Sequence, residues 1–124
     1  MKTQEFSVRD RVRSFRFAMD GVASFFQREH NAWLHFMATI VVFTLAALTS
    51  VTKTELLALV FAIGFVWVAE MFNTCIERVM DFVSPQRHPE IKFIKDLAAA
   101  AVLTAAITAF VVGAIVFIPK LMGQ

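Results

Sequence analysis

The sequence has few of the residues that build flexible loops and covalent cross-links. Its 124 residues include four glycines and a single cysteine, Cys75. The glycines, at positions 21, 64, 113 and 123, are too widely spaced to form a phosphate-binding P-loop or a kinase-type glycine-rich loop. Cys75 has no partner for an intrachain disulfide. Both kinds of glycine-rich nucleotide loop are therefore excluded.

Charged residues are also scarce, and apolar residues come in blocks. Only 18% of the chain is charged and 58% is apolar, against roughly 45–50% apolar in a soluble domain. Three blocks reach or approach the roughly 20 residues that a helix needs to cross a bilayer. The sequence predicts an all-α membrane protein, one domain over residues 1–124, with spans at 32–50, 56–80 and 95–119. The polar N-terminus predicts no cleavable signal peptide.

Positive charge is distributed unevenly around these spans. Six basic residues precede the first span, and four lie in or beside the connection between the second and the third: Arg78, Arg87, Lys92 and Lys95. The connection between the first two spans carries only Lys53, and the C-terminus only Lys120. By the positive-inside rule, this distribution predicts a cytoplasmic N-terminus and second connection, with the C-terminus outside.

The segment before the first span predicts an amphipathic surface helix over residues 7–27. Ser7 followed by Asp10 is typical of a helix start, because both side chains can satisfy exposed first-turn N–H groups. Apolar residues then recur at spacings of three and four: Val8, Val12, Phe15, Met19, Val22 and Phe26. This pattern favours a helix in the membrane interface, with its arginines towards lipid headgroups.

A polar cluster interrupts the end of the second span. Glu70, Asn73 and Glu77 fall on one helix face, and Glu70 precedes Glu77 by about 10 Å along the axis. A carboxylate at the hydrocarbon edge costs on the order of 3 kcal/mol, so it normally faces a wet or protein-lined site. Alternatively, the span simply ends here and its polar residues emerge into water. That alternative accounts for Asp81 but poorly for Glu70 and Asn73.

Other charges gather near the same predicted depth: Glu29, Glu70, Glu77, Asp81 and Asp96, with Lys95 and His88 beside them. Such an acidic cluster needs positive counter-charge. Mg²⁺ with nucleotide phosphates would supply it, because a hard cation takes carboxylate oxygens and bridges phosphates. Lys95 would balance further phosphate charge, and the deeper Glu70 would serve as a general base on an alcohol. These are the parts that phosphoryl transfer requires.

Alanine dominates the third predicted span, from Ala98 to Ala109, and Gly113 follows. Small residues let membrane helices approach closely, so this span is predicted to be a packing helix rather than a lipid-facing one. Three spans alone offer little interior in which to enclose Glu70 and Asn73. Oligomerisation is therefore expected.

Together these residues resemble a known family. The pattern Glu70-x-x-Asn73-Thr-x-Ile-Glu77-x-x-x-Asp81, followed by Lys95-Asp96-x-Ala98-Ala-x-Ala101-Val, is similar to the signature of the small bacterial integral-membrane diacylglycerol kinases. Upstream, Ser14-Phe-x-x-Ala18-x-x-Gly21 and Glu29-x-Asn31-x-x-x-His35 extend the resemblance. It implies a homotrimer of three-span protomers in the bacterial inner membrane, each with an N-terminal surface helix, and composite active sites.

The resemblance also implies a role for each site residue. Glu70 would deprotonate the lipid hydroxyl with the support of Asn73, and Glu29 and Glu77 would ligate Mg²⁺ on the ATP. The residues implied at the nucleotide are Glu29, Glu77, Gln86, Arg87, His88, Lys95 and Asp96. Those implied at the lipid substrate are Glu70, His35 and Ala99.

Two departures from the better-known enterobacterial branch affect these roles. Asp10 stands near the position of an arginine that contacts ATP in that branch, which leaves Arg9, Arg11 and Arg13 as alternatives. His35 stands where that branch has an acid. The Glu-x-Asn-x-x-x-His pattern is instead similar to the branch that includes undecaprenol kinases, so the lipid remains open between diacylglycerol and undecaprenol.

The resulting functional prediction is transfer of the γ-phosphate of ATP, with Mg²⁺, to diacylglycerol, which gives phosphatidic acid. Undecaprenol is the alternative acceptor. No nucleic-acid partner is expected. Two alternatives belong to other classes. A small proton-coupled transporter would place its acid in mid-bilayer rather than at the cytoplasmic edge. For a non-catalytic membrane subunit, replacing Glu70 would affect assembly alone.

Overall fold

The computed structural model describes residues 5–123 as an all-helical protein. Four α-helices follow one another: α1 (Val8–Arg28), α2 (His30–Leu48), α3 (Lys53–Val83) and α4 (Pro89–Leu121). The last three are long and apolar enough to cross a membrane. The predicted all-α class, with three helices able to span a membrane, is thereby confirmed. The described residues fall into two compact units that divide after Phe36.

The N-terminal unit begins with α1, whose start is fixed by Ser7. The Ser7 side chain accepts a hydrogen bond from the Asp10 backbone N–H at 3.4 Å, and the Ser7 backbone is extended. This N-cap satisfies a first-turn N–H that has no partner inside the helix. From Val8 to Ser24 every residue of α1 is exposed, and Phe25 is its buried residue. The structure therefore has a helix close to the predicted residues 7–27.

A single residue, Glu29, separates α1 from α2. Its backbone is extended, with φ −122° and ψ 117°. The Glu29 N–H donates to the Phe25 carbonyl at 3.0 Å, and the Glu29 carbonyl accepts from the Ala32 N–H at 3.2 Å. The same residue thus ends one helix and starts the next. The joint is narrower than the gap between the surface helix predicted over 7–27 and the span predicted from residue 32, because the backbone groups on both sides of Glu29 still find helical partners.

A short turn joins α2 to α3, and its geometry is set by Ser50 and Thr52. Ser50 has a φ of +54°, in the left-handed region. Thr52 and Glu55 form a reciprocal capping box: the Glu55 N–H donates to Thr52 Oγ1 at 3.2 Å, and the Thr52 N–H donates to Glu55 Oε2 at 2.9 Å. Two of the unpaired donors at the start of α3 are satisfied in this way.

The second unit is held together by packing of α3 against α4. Two polar contacts fix the arrangement. Lys120 Nζ lies 3.1 Å from Glu55 Oε2 and joins the end of α4 to the start of α3, and Trp67 Nε1 donates to Thr39 Oγ1 at 2.9 Å and joins α3 to α2. A cluster of buried apolar residues packs the end of this unit where α2 ends, α3 begins and α4 ends: Ala46, Leu59, Val116 and Phe117.

Most large apolar side chains of the spans nevertheless remain exposed on the single chain, as Phe61 and Phe110 illustrate. With 31 and 33 residues, α3 and α4 are about 46 Å and about 50 Å long, well beyond a hydrocarbon core of roughly 30 Å. Both helices therefore have length to extend past the membrane, while their apolar middle sections are available to lipid or to another chain.

The connection between α3 and α4 is shorter than the sequence indicated. The spans predicted at 56–80 and 95–119 leave residues 81–94 as a loop, but α3 continues to Val83 and α4 already begins at Pro89. Proline suits the first turn of a helix because the N–H it lacks would be unpaired there. His88 precedes it as the N-cap, and its Nδ1 accepts from the Glu90 N–H at 3.1 Å. Between α3 and α4, only residues 84–88 lie outside the helices.

The left-handed backbone of Ser50 generates a prediction about stability. Replacing Ser50 by glycine removes the contact between Cβ and backbone that disfavours this φ, and we expect a gain of up to about 1 kcal/mol in the free energy of unfolding. Ser50→Val should have the opposite effect, because a β-branched side chain is strained further there. Denaturant unfolding in detergent micelles measures both. A loss of stability in Ser50→Gly would contradict the assignment of strain.

Candidate active site

The polar residues of α3 change from buried to exposed along one face. Glu70 is buried, with 6% of its surface exposed. Asn73 lies about one turn later and is half-buried, and Glu77 follows on the exposed part of the helix. From Glu70 to Glu77 the series covers about 10 Å. The face therefore leads from the apolar interior of the helix to its polar end.

Asn73 carries a feature that packing alone does not explain. In the part of the chain that the structure describes, Asn73 Oδ1 is buried and has no hydrogen-bond partner. A buried acceptor left in this state costs about 1–3 kcal/mol, and such groups in native proteins call for a specific explanation. An orphaned amide oxygen one turn from a buried carboxylate is typical of a site that receives a donor from outside the chain.

A cavity of about 570 Å³ lies where residues 84–88 join α3 and α4. Its lining includes all five residues that were predicted to contact nucleotide in this region: Gln86, Arg87, His88, Lys95 and Asp96. The short loop brings its own side chains against the first turns of α4. The cavity thus combines cationic, amide and imidazole groups, which can bind phosphate oxygens and polar edges of a base.

Two ion pairs lie in the lining of this cavity. Lys95 Nζ is 2.5 Å from Asp81 Oδ1, which joins α4 to α3 across the loop, and Lys92 Nζ pairs with Asp96 Oδ2 along α4. All four side chains are at least one-third exposed. Exposed ion pairs typically contribute only about 0–1 kcal/mol. Both lysines can therefore exchange a carboxylate for a phosphate group at little cost.

Sequence reasoning missed Lys92 and the direct pairing of Lys95 with Asp81. The sequence does contain a signal for Lys92, because Lys92 and Asp96 are unlike charges at the i,i+4 spacing of a helix. No local sequence pattern indicates the pairing of Lys95 with Asp81. The fourteen-residue separation of Asp81 and Lys95 becomes a contact only because α4 begins at Pro89 and shortens the loop.

Glu29 and His35 belong to the N-terminal unit. Glu29 is the residue at the break between the two helices, and His35 lies on α2 just beyond its first turn; both are partly buried. Ala99, predicted to contact the lipid, is exposed on α4 next to the buried Ala98. The structure thus brings the loop and α4 residues together at one cavity and places Glu70, Asn73 and Glu77 along α3.

The metal prediction can be compared with the chemistry of the side chains. Among residues 5–123 no group of three or more His, Cys, Asp or Glu side chains is arranged to hold a metal ion. Mg²⁺ is usually bound by only one or two carboxylates together with substrate phosphates and water, rather than by a protein cage. The two predicted ligands, Glu29 and Glu77, are carboxylates, so their donor chemistry fits a metal that arrives with a nucleotide.

Comparison with known proteins identifies relatives of the chain. The sequence pattern of the family described as prokaryotic diacylglycerol kinase matches residues 16–117. The diacylglycerol kinase of Synechocystis sp. is 36% identical over 110 residues, which cover 88% of this chain and 63% of that relative. The undecaprenol kinase of Bacillus subtilis is 31% identical over 109 residues, covering 88% of this chain and 89% of that relative. The diacylglycerol kinase of Haemophilus influenzae is 29% identical over 109 residues, covering 86% and 91%.

These matches differ in how much of each relative they include. The chain spans less than two thirds of the cyanobacterial relative but nearly all of the Bacillus and Haemophilus proteins. The family match extends over most of the chain and includes α2, α3 and almost all of α4. The predicted class of enzyme, a lipid kinase, is confirmed at the level of the family. The chain therefore belongs to the prokaryotic diacylglycerol kinase family.

Proposed function

We propose that this protein transfers the γ-phosphate of ATP, with Mg²⁺, to the hydroxyl of diacylglycerol in the membrane. The observation that carries the proposal is the buried carboxylate of Glu70 on a helix long and apolar enough to span a membrane. Family membership supports the reaction class. Undecaprenol is the second candidate acceptor, because the undecaprenol kinase of Bacillus subtilis is covered over 89% of its length.

In the proposed reaction, Glu70 acts on the acceptor alcohol. The hydroxyl proton passes to the Glu70 carboxylate while the alcohol oxygen forms a bond to the γ-phosphorus. The bond between that phosphorus and the bridging oxygen of ADP breaks, and ADP leaves with the electron pair. Asn73, one turn from Glu70, supports the base with its amide. A base at this depth suits an acceptor whose hydroxyl lies at the edge of the hydrocarbon layer.

The nucleotide would occupy the cavity beside residues 84–88. Lys95 and Arg87 would neutralise phosphate charge there, and Gln86, His88 and Asp96 would contact the remainder of the nucleotide. Binding would require Lys95 to leave Asp81, which is inexpensive for an exposed pair. Mg²⁺ held by Glu29 and Glu77 would supply further charge neutralisation on the phosphates when bound.

The proposed state in the cell is a homotrimer in the bacterial inner membrane. Exposed apolar side chains on α3 and α4 support burial against lipid and neighbouring protomers. Every residue of α1 from Val8 to Ser24 is exposed, and arginines lie between its apolar positions. Both features support an amphipathic helix in the cytoplasmic interface. A partner protomer would complete the surroundings of Glu77 and Asp81, which are exposed on the single chain although Glu70 is buried within it.

Glu70→Gln tests the proposed base. Loss of the proton acceptor should lower kcat for phosphate transfer by at least about 100-fold. Transfer from labelled ATP to diacylglycerol and to undecaprenol would be measured in mixed detergent–lipid micelles with Mg²⁺. Glu55→Gln is the matched control, since Glu55 is an acid on the same helix, paired with Lys120 away from the site. It should stay within about twofold of the original protein.

Comparing the two lipids and measuring the oligomeric state of each variant distinguishes the possible outcomes. Transfer to one lipid, lost in Glu70→Gln but not in Glu55→Gln, would identify reaction and acceptor together. If a well-folded oligomer transfers phosphate to neither lipid, the proposed acceptors are wrong. If Glu70→Gln changes only the oligomeric state, a non-catalytic role for Glu70 is favoured.

Lys95→Met tests the nucleotide cavity. Removing a charged donor from the phosphates should raise the KM for ATP by about tenfold or more, while the KM for the lipid stays unchanged. Lys53→Met provides a control, because Lys53 is the first residue of α3, at the end opposite the cavity. Steady-state kinetics with each substrate varied in turn distinguish the two effects. An equal rise in both KM values for Lys95→Met would argue against direct contact with ATP.

The proposed orientation can be tested with single cysteines in a Cys75→Ser background. We expect a cysteine at position 54 to react with a membrane-impermeant maleimide added outside intact spheroplasts. A cysteine at position 87 should react only after permeabilisation, because the loop at residues 84–88 is proposed to face the cytoplasm. The reverse labelling pattern would overturn the orientation and would separate the cavity from the ATP supply.

A further inference from the structure

The end of α1 is capped by a side chain from the next helix. The last four carbonyls of a helix have no partner within it. The Phe25 carbonyl accepts from the Glu29 N–H at 3.0 Å, and the Phe26 carbonyl accepts from Trp33 Nε1 at 3.0 Å. The indole of Trp33, in the first turn of α2, therefore donates to a carbonyl three positions before the break. All of these groups lie within the N-terminal unit.

Three aromatic rings reinforce this contact. Ring centroids are 5.1 Å apart for Phe26 and Trp33, 5.8 Å for Phe26 and Phe36, and 6.0 Å for Trp33 and Phe36. Their interplanar angles, 71°, 87° and 85°, are close to T-shaped. This is the preferred edge-to-face geometry of aromatic pairs. One ring from α1 and two from α2 thus form a closed triangle that bridges the break.

The break consists of Glu29 alone, so the triangle and the indole hydrogen bond constrain that residue. Phe26 and Trp33 are set in helices on either side of it, and only the φ and ψ of Glu29 lie outside helical geometry between them. Fixing Phe26 against Trp33 therefore fixes those two angles and, with them, the direction in which the Glu29 side chain leaves the backbone. Ala32, the next residue but two, is fully buried and leaves no room for the joint to shift.

We infer that Trp33 is a positioning residue for the Mg²⁺–nucleotide site, because its indole N–H and ring hold the backbone of Glu29, whose carboxylate would ligate the metal. The inference rests on the proposed function, which assigns Glu29 to the metal. Trp33 itself is 55% exposed, which a membrane-interface anchor would also explain. The anchor role requires only an aromatic ring at this depth. The positioning role requires the N–H donor as well.

The test removes the donor and keeps a ring. Trp33→Phe loses the hydrogen bond to the Phe26 carbonyl, and Trp67→Phe is the matched control, since Trp67 Nε1 donates to Thr39 Oγ1 in the second unit. Mn²⁺ serves as the probe, and its binding in the presence of a non-hydrolysable ATP analogue would be measured by electron paramagnetic resonance on the full chain in lipid–detergent micelles. Mg²⁺ activation of phosphate transfer and the KM for the lipid would be measured in parallel.

We expect Trp33→Phe to weaken Mn²⁺ binding and to raise the Mg²⁺ concentration for half-maximal activity by on the order of fivefold, the effect of losing one neutral hydrogen bond. The KM for the lipid should not change. Trp67→Phe should leave metal binding and Mg²⁺ activation unchanged. Substitution of Trp33 by benzothienylalanine, which replaces only the N–H by sulfur, should reproduce the result and avoids any rearrangement caused by the smaller phenyl ring.

The outcomes separate this inference from the proposed function. If the original protein transfers phosphate but both Trp→Phe variants behave alike, or the benzothienylalanine variant binds Mn²⁺ normally, Trp33 does not position Glu29. If the original protein transfers no phosphate but Mn²⁺ binding weakens selectively in Trp33→Phe, the proposed function is wrong and the positioning role stands. If the original protein binds no Mn²⁺ with the nucleotide analogue, the inference is overturned.

Discussion

A carboxylate inside an apolar helix must be offset by its surroundings, and much of this molecule is arranged around that constraint. In a hydrocarbon layer every backbone group has to be paired within the protein, which leaves the helix as the available element for a short chain. A continuous α3 then carries Glu70 from an apolar stretch towards the polar Glu77 without a break in its backbone. The burial of Glu70 and the unpaired Oδ1 of Asn73 are both unfavourable terms in the free energy of folding, and they lie about one turn apart on α3. Such terms are typical of a functional site rather than of a stable core.

The two ends of the α3–α4 hairpin carry contrasting ion pairs. At the open end of the hairpin, where α3 begins and α4 ends, the side chains of Lys120 and Glu55 are 18% and 30% exposed, and Glu55 is also held in a capping box. At the cavity end, Asp81 and Lys95 are 63% and 35% exposed and have no cap to hold them. The first pair is suited to fixing the hairpin. The second is suited to being exchanged, because water already competes with it. The same two helices thus have one end that is mainly structural and one end that is open to chemistry.

The features that the sequence predicted well depend on local or periodic signals. The three helices that are long and apolar enough to span a membrane follow from apolar length, and the start of α1 follows from Ser7 and Asp10. The grouping of the loop and α4 residues at one site was predicted from the family resemblance rather than from their spacing: Gln86, Arg87, His88, Lys95 and Asp96. The features that were missed depend on contacts between elements. No local pattern encodes the left-handed Ser50, the Asp81–Lys95 pair or the hydrogen bond from Trp33 to Phe26. Pro89 is an exception, because the span bounds predict it within a loop although it occupies the first turn of α4.

The single-residue break at Glu29 has a consequence for how this chain can change through insertion and deletion. A helix turns by about 100° per residue, so adding or removing one residue between Phe26 and Trp33 would rotate everything after it by that angle. The indole would then point away from its carbonyl, and the aromatic triangle would open. Residues 84–88, which are largely exposed and lie outside the helices, do not transmit such a rotation to a ring contact of this kind. Length variation among relatives of this sequence should therefore be found at the ends of the chain, while the interval from Phe26 to Trp33 keeps its length even where its residues differ.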